Sequence, residues 1–270
     1  VSNLSYENIK KAKDEWWNKA MMDNNVTTEV LIKAFGIDGG AVISGSAKIT
    51  VSSLGGQAAD NKELWHINGI KNWNSGTTTK ISGDAVIDVT ADISSAKGVY
   101  LWNKSNAEIG GNVIVTVRNA ADSIIAHGLN ADENCGITVG KSAQINVDAA
   151  SNNNKGIYSH EKGGSVTIGE SAYINVDGAK DDAGQVTALA NYARGITGES
   201  GGKVSIGGNA FVNVNGISAI GIEAFRNKAR DASVPDAKVT IAGNYGASVR
   251  ASTGEAQGIV TVSYTHLTLP

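Results

Sequence analysis

Few side chains in this sequence have the types and spacings that catalysis needs. Ser159-His160-Glu161 contains a nucleophile, a base and an acid, but a catalytic triad converges in space and not along one stretch of strand. His127 precedes a glycine that recurs throughout the chain, so its His-Gly pair reads as part of a repeat. Asp181-Asp182 reads as a solvated turn, and Asp84 and Asp88 as outward residues of a strand frame. Cys135 stands alone and reads as a small buried or turn residue. Gly110-Gly111 and Gly207-Gly208 do not precede helices, so they do not cradle phosphate. What remains is the chemistry of recognition. Asn146, Asn175 and Asn213 recur at one place in a repeated frame and offer evenly spaced donors and acceptors. Trp65, Trp73 and Trp102 either pack the first part of the fold or form an aromatic platform for sugar rings. The expectation is no catalytic residue, no cofactor and no metal site. Possible surface or self-association contacts lie at Asn146, Asn175 and Asn213, and possible aromatic contacts at Trp65, Trp73 and Trp102.

These residues are positioned by a repeat. One frame recurs seven times: an apolar anchor, an early glycine in the clearest copies, then apolar or small residues at +4, +6 and +8. The clearest copies read VGKSAQINVD from Val139, IGESAYINVD from Ile168 and IGGNAFVNVN from Ile206. Ile43, Ile81 and Ile109 anchor further copies, and the Ile241 copy is degenerate, with Tyr245, Ala247 and Val249. A second landmark, glycine followed by an apolar residue, lies downstream of each anchor: Gly69, Gly98, Gly128, Gly156, Gly195, Gly221 and Gly258. From this glycine to the next anchor the step is 11 or 12 residues in five of six cases; the step from Gly221 to Ile241 is 20. Variable length therefore sits in loops while the strand frames hold.

Positions +4, +6 and +8 share one face of a strand, because successive side chains alternate sides. Isoleucine, valine, threonine and asparagine suit strand more than helix. Three short strands per copy predict a triangular coil. Stacking equal copies puts Ile49, Ile87, Val115, Ile145, Ile174 and Val212 in one inward column. Thr50, Asp88, Thr116, Asn146, Asn175, Asn213 and Ser248 form an outward one. At a strand spacing of ~4.7–4.9 Å, seven coils make a rod ~30–35 Å long.

Composition supports a folded all-β chain. It carries 33 glycines and one cysteine in 270 residues, 18% charged residues and a net charge of -3. No basic block is present, which argues against nucleic acid as the partner. One cysteine excludes a disulfide framework. Before the repeats, Ser5 to Asn24 places Ile9, Ala12, Trp16 and Ala20 at helical spacing. Residues 1–37 are therefore expected to be a helical cap or flanking segment, and 38–261 the stacked coils. Residues 262–270, VSYTHLTLP, resemble the in-frame translation of a transposase-type sequencing adapter. They are expected to be read-through outside any coil, with the natural protein continuing past Thr261.

The stacked frame, the glycine and asparagine richness and the near-absence of cysteine resemble a bacterial autotransporter passenger. The resemblance covers about residues 38–261 and rests on pattern, not on an invariant motif. It implies a right-handed parallel β-helix of about seven coils, all-β apart from the short N-terminal helical cap. It also implies secretion or surface display, export through a C-terminal outer-membrane β-barrel, and an extracellular location. Scarce cysteine fits, because periplasmic disulfides obstruct export of an unfolded chain. The expected role is adhesin-like, by binding a host or matrix glycan or protein, or by self-association. The only membrane contact would be through the missing barrel. The alternative is a carbohydrate-active β-helix enzyme, a lyase or glycoside hydrolase, with its site in missing coils. Against it, Ala126-His127-Gly128 lacks the Gly-His-Gly context of polygalacturonases, and no acidic calcium-binding nonapeptide occurs.

Overall fold

A computed structural model describes residues 34–53, 66–91, 95–119, 125–161, 163–226, 235–262 and 266–268. Every regular element among them is a strand. The expected helix at Ser5 to Asn24 and the rings of Trp16, Trp17 and Trp65 lie outside the described residues.

The strands form three long parallel sheets, and the chain visits each sheet once per turn. Sheet 1 has eight strands: Ala34–Asp38, His66–Asn72, Ser95–Leu101, Ile125–Ala131, Asn153–His160, Tyr192–Glu199, Ser218–Phe225 and Ala256–Val262. Sheet 2 has eight shorter ones that carry the anchors, from Val42–Ile43 through Gly136–Val139 to His266–Thr268. Sheet 3 has seven: Ala47–Ser53, Ala85–Ala91, Val113–Asn119, Ala143–Ala149, Ala172–Asp177, Ala210–Gly216 and Tyr245–Ala251. One small antiparallel pair, Ala179–Lys180 with Val186–Ala188, projects from this solenoid-like stack.

Pairing follows the repeat residue for residue. Ile49, Ile87, Val115, Ile145, Ile174 and Val212 are register partners in sequence along sheet 3, and all are buried. The anchors Ile43, Ile81, Ile109, Val139, Ile168, Ile206 and Ile241 form the matching column of sheet 2. These columns close one continuous apolar core between the sheets.

Two rows of glycine make the closeness possible. In sheet 1 the landmark glycines lie inside the strands. A Cβ on Gly156 would stand 2.3 Å from Cγ2 of Ile174 and 2.7 Å from the Gly195 carbonyl oxygen. At the corners, a Cβ on Gly169 would stand 2.3 Å from the Gly140 carbonyl oxygen. Neither row has positive φ, so the requirement is for space and not for left-handed backbone.

The described residues of the terminal segment are extended. Val262 ends a sheet 1 strand, and His266–Thr268 pairs with Lys238–Ile241. An unpaired strand edge offers a row of N–H and C=O groups, and an extended neighbouring segment satisfies them.

The register makes adjacent residues unequal. Ile174→Ala should cost ~2–5 kcal/mol, whereas Asn175→Thr, one residue on, should be nearly silent. Equal shifts of the two denaturation midpoints would refute the assigned faces.

Candidate functional site

The outer faces of sheets 3 and 1 carry polar chemistry, and they differ in exposure. On sheet 3, Asn146, Asn175 and Asn213 are direct register partners, flanked along the same column by Thr116 and Ser248. Nδ2 of Asn213 donates to Oδ1 of Asn175 at 2.6 Å. The structure thus brings all three expected asparagines together. The neighbouring outward column holds Gln144, Tyr173, Phe211 and Gly246. Tyr173 and Phe211 stack with ring centroids 5.3 Å apart and planes 17° from parallel. They are 52% and 43% exposed, which is unusual for stacked rings. Together the two columns line a shallow groove of about 380 Å³. Beyond it, Lys180 bridges Asp148 at 2.7 Å and Asp177 at 3.2 Å.

The expected tryptophan contacts are only partly assembled among the described residues. Trp73 and Trp102 follow consecutive sheet 1 strands and are 43% and 39% exposed. Trp73 meets Tyr100 edge-on at 6.1 Å, and the Lys71 amine lies 4.4 Å from its ring. Trp65 lies outside the described residues. The exposed aromatic pair is instead Tyr173 with Phe211. Its signal was present in the repeat, where glutamine, tyrosine and phenylalanine occupy one frame position in the three clearest copies.

Sheet 1 carries the second face. The residues before the first five landmark glycines run Asn68, Lys97, His127, Lys155 and Arg194 up one column. Alternation points this column away from the core, yet Lys97 and Lys155 are each only 4% exposed. Their amines sit 3.3 Å and 3.2 Å from the ring centroids of Tyr100 and Tyr158. Burial pushes the Lys97 amine down to about 8 and the Lys155 amine to about 7, against the pull of nearby carboxylates. Arg194 Nε lies 2.5 Å from Glu223 Oε2 as an ion pair.

The histidines complete the network. Burial, with the Lys155 and Lys97 charges, holds the His127 imidazole well below its ordinary range, so it is neutral. Asn130 donates its amide to Asp132 at 2.8 Å, which leaves Oδ1 of Asn130 to accept from Nδ1 of His127 at 2.7 Å. His127 Nε2 is then a bare lone pair, buried without a partner, as are both amide atoms of Asn68 and the Thr197 hydroxyl. His160 lies 3.4 Å from Glu199, 3.3 Å from Glu161 and 3.8 Å from Asp132. Burial raises the Glu199 pKa, but hydrogen bonds from His160 and Tyr158 outweigh it and hold it at about 2. Burial also raises Asp132 and Glu223.

Several motif residues resolve simply. Ser159 Oγ accepts the Lys203 amide, while His160 stacks on Tyr158, so the adjacent Ser-His-Glu does not converge as a triad. Asp181 accepts the Ala183 and Gln185 amides, closing an exposed turn. Asp84 lies at a corner, one residue before its strand, and accepts the Asn112 amide at 2.7 Å. Cys135 is buried at a corner against Ser105. Among the described residues no group of three histidine, cysteine or acidic side chains is placed to hold a metal ion. No family model, curated protein or solved structure matches the chain.

The buried lysines set a pH dependence. Their folded pKa values lie below the ordinary 10.5, so between the two values the unfolded chain holds more protons and stability rises with pH. The urea midpoint should climb from near pH 7, with up to ~1.4 kcal/mol per pH unit from each lysine. In Lys155→Met the climb should start about one unit later and be shallower. A flat wild-type midpoint between pH 7 and 9 would show that these amines are hydrated.

Proposed function

We propose that this chain is a binding rod: part of a secreted or surface-displayed autotransporter passenger, adhesin-like, working by contact and not by catalysis. In this reading the stack is a right-handed parallel β-helix of about seven coils, capped by a helix within residues 1–37. Right-handed crossovers between parallel strands are the strong general rule, which supports the handedness. The partner is a host or matrix glycan or protein, or another copy of the chain, met outside the cell. Any membrane contact belongs to a β-barrel beyond these residues.

One observation carries the reading. The Asn146, Asn175 and Asn213 amides stand in register on a wall that is open to solvent along the groove. Parallel sheets usually have both faces covered. A wall left open, with regular amides and stacked rings, supports recognition of a partner. Changing all three asparagines to lysine places like charges one rung apart. It should abolish lateral association and surface binding while leaving the fold intact by circular dichroism. Unchanged sedimentation and unchanged cell or matrix binding would remove this wall from the function.

The buried network on sheet 1 favours the second reading, a carbohydrate-active enzyme. His160, Glu199, Tyr158 and Lys155 gather proton donors and acceptors in a site sheltered from water. Under the binding-rod reading, pectate, polygalacturonate and host glycans stay intact after long incubation with the chain, with and without Ca²⁺. Cleavage lost in Glu199→Gln would establish the enzyme instead.

A further inference from the structure

The aromatic stack on sheet 3 stops at a glycine. Tyr173 covers one face of Phe211, and the next residue in that column is Gly246. The other face of Phe211 therefore looks along the stack toward a position with no side chain. A Cβ on Gly246 would lie 3.3 Å from Cδ1 and 3.6 Å from Cε1 of Phe211, so the ring leans over the glycine and a side chain there would push it back by a few tenths of an ångström. Rungs stand ~4.7–4.9 Å apart, and a ring in contact with Phe211 needs ~3.5–4.0 Å between carbon atoms. A six-membered ring seated in the gap over Gly246 would continue the stack as its third member.

The walls of the gap select the chemistry. Asn213 and Ser248 stand beside it in the adjoining column. One N–H of Asn213 is engaged by Asn175, which leaves its carbonyl oxygen and second N–H. The groove is lined by amides, a hydroxyl, the two rings and aliphatic groups, without a charged side chain. An acidic or basic ligand would leave its counter-ions behind and meet no opposite charge in the groove lining, with Arg250 standing one column beyond Ser248. A neutral pyranose suits all three features. Its C–H face packs on an aromatic face, its vicinal hydroxyls match an amide that both donates and accepts, and it carries no charge.

We propose that the groove over Gly246 is a subsite for a neutral pyranose of a glycan, stacked on Phe211 and hydrogen-bonded by Asn213 and Ser248. This deepens the binding-rod reading and rests on it. A charged glycan, a protein surface or a second copy of the chain are the competing occupants.

The test titrates the full chain with cello-, chito-, malto- and manno-tetraose, and with a tetragalacturonate as the charged control, by calorimetry and saturation-transfer NMR. At least one neutral tetramer should bind at millimolar or lower concentration. Gly246→Val fills the gap with a residue suited to a strand and should weaken that binding at least tenfold in a variant that remains folded by circular dichroism. Phe211→Leu should weaken it similarly and reduce transfer to the sugar C–H protons. No neutral tetramer binding to the wild type, tetragalacturonate binding more tightly than all of them, or equal affinity in the folded Gly246→Val variant would each overturn the subsite. If Gly246→Val keeps surface binding that the triple lysine variant loses, the sugar proposal fails and the binding rod stands. If the wild type binds neither surface nor sugar, both fail.

Discussion

At one point in each middle rung of sheet 1 the chain has room for a hydrogen atom and nothing larger. The missing Cβ of Gly98, Gly128, Gly156 and Gly195 is replaced by a γ-methyl group from sheet 3 and by the carbonyl of the next glycine. That contact draws two sheets together and sets their relative height. Once the height is set, isoleucine and valine of one turn must fall against those of the next, and outward residues must line up as well. The core column through Ile145 and Ile174 and the amide column through Asn146 and Asn175 are two results of one spacing. Each sheet supplies what the others lack, because a short parallel strand with few side-chain contacts has little stability alone.

The frames were legible because alternation is a strong signal where one face is buried and the other wet. From Ala143 to Val147 the residues name their own faces, and the predicted columns match the observed pairing. Sheet 1 was less legible. Its landmark glycines recur at a regular place but carry no side chain that names a face, and they sit mid-strand where the backbone is crowded. The residues before them, Lys97, His127 and Lys155, are polar and outward by alternation, and such residues are ordinarily solvated. Periodicity distinguishes inward from outward, but it does not reveal an outward face that is itself covered. The stacked rings failed to stand out for another reason. Tyr173 and Phe211 are 38 positions apart in sequence and become neighbours only when the long fifth turn is closed.

The two polar faces manage charge in opposite ways. The side chains that line the groove of sheet 3 are neutral, and beyond it Lys180 pairs with Asp148 and Asp177. On sheet 1 cations and carboxylates are interleaved away from water. There the desolvation of each charge is offset by rings, ion pairs and hydrogen bonds, while the neutral His127 and Asn68 keep buried polar atoms without a hydrogen-bond partner. Such an arrangement favours one alignment of rungs over its shifted alternatives, since a slip would separate Arg194 from Glu223 and Tyr158 from Glu199.

The backbone bonds that join successive turns run along the stack. At the corners Gly140 N–H reaches the Ile109 carbonyl, Gly169 the Val139 carbonyl and Gly207 the Ile168 carbonyl, at 2.7, 2.8 and 2.8 Å. A pull along that direction loads the turns in series, so each junction bears the whole tension and the weakest yields first. A pull across it is shared among neighbouring strands and resisted by the apolar interior. Under load, a molecule built this way would lengthen by peeling single turns, each releasing a few tens of residues of slack while the remainder keeps its shape.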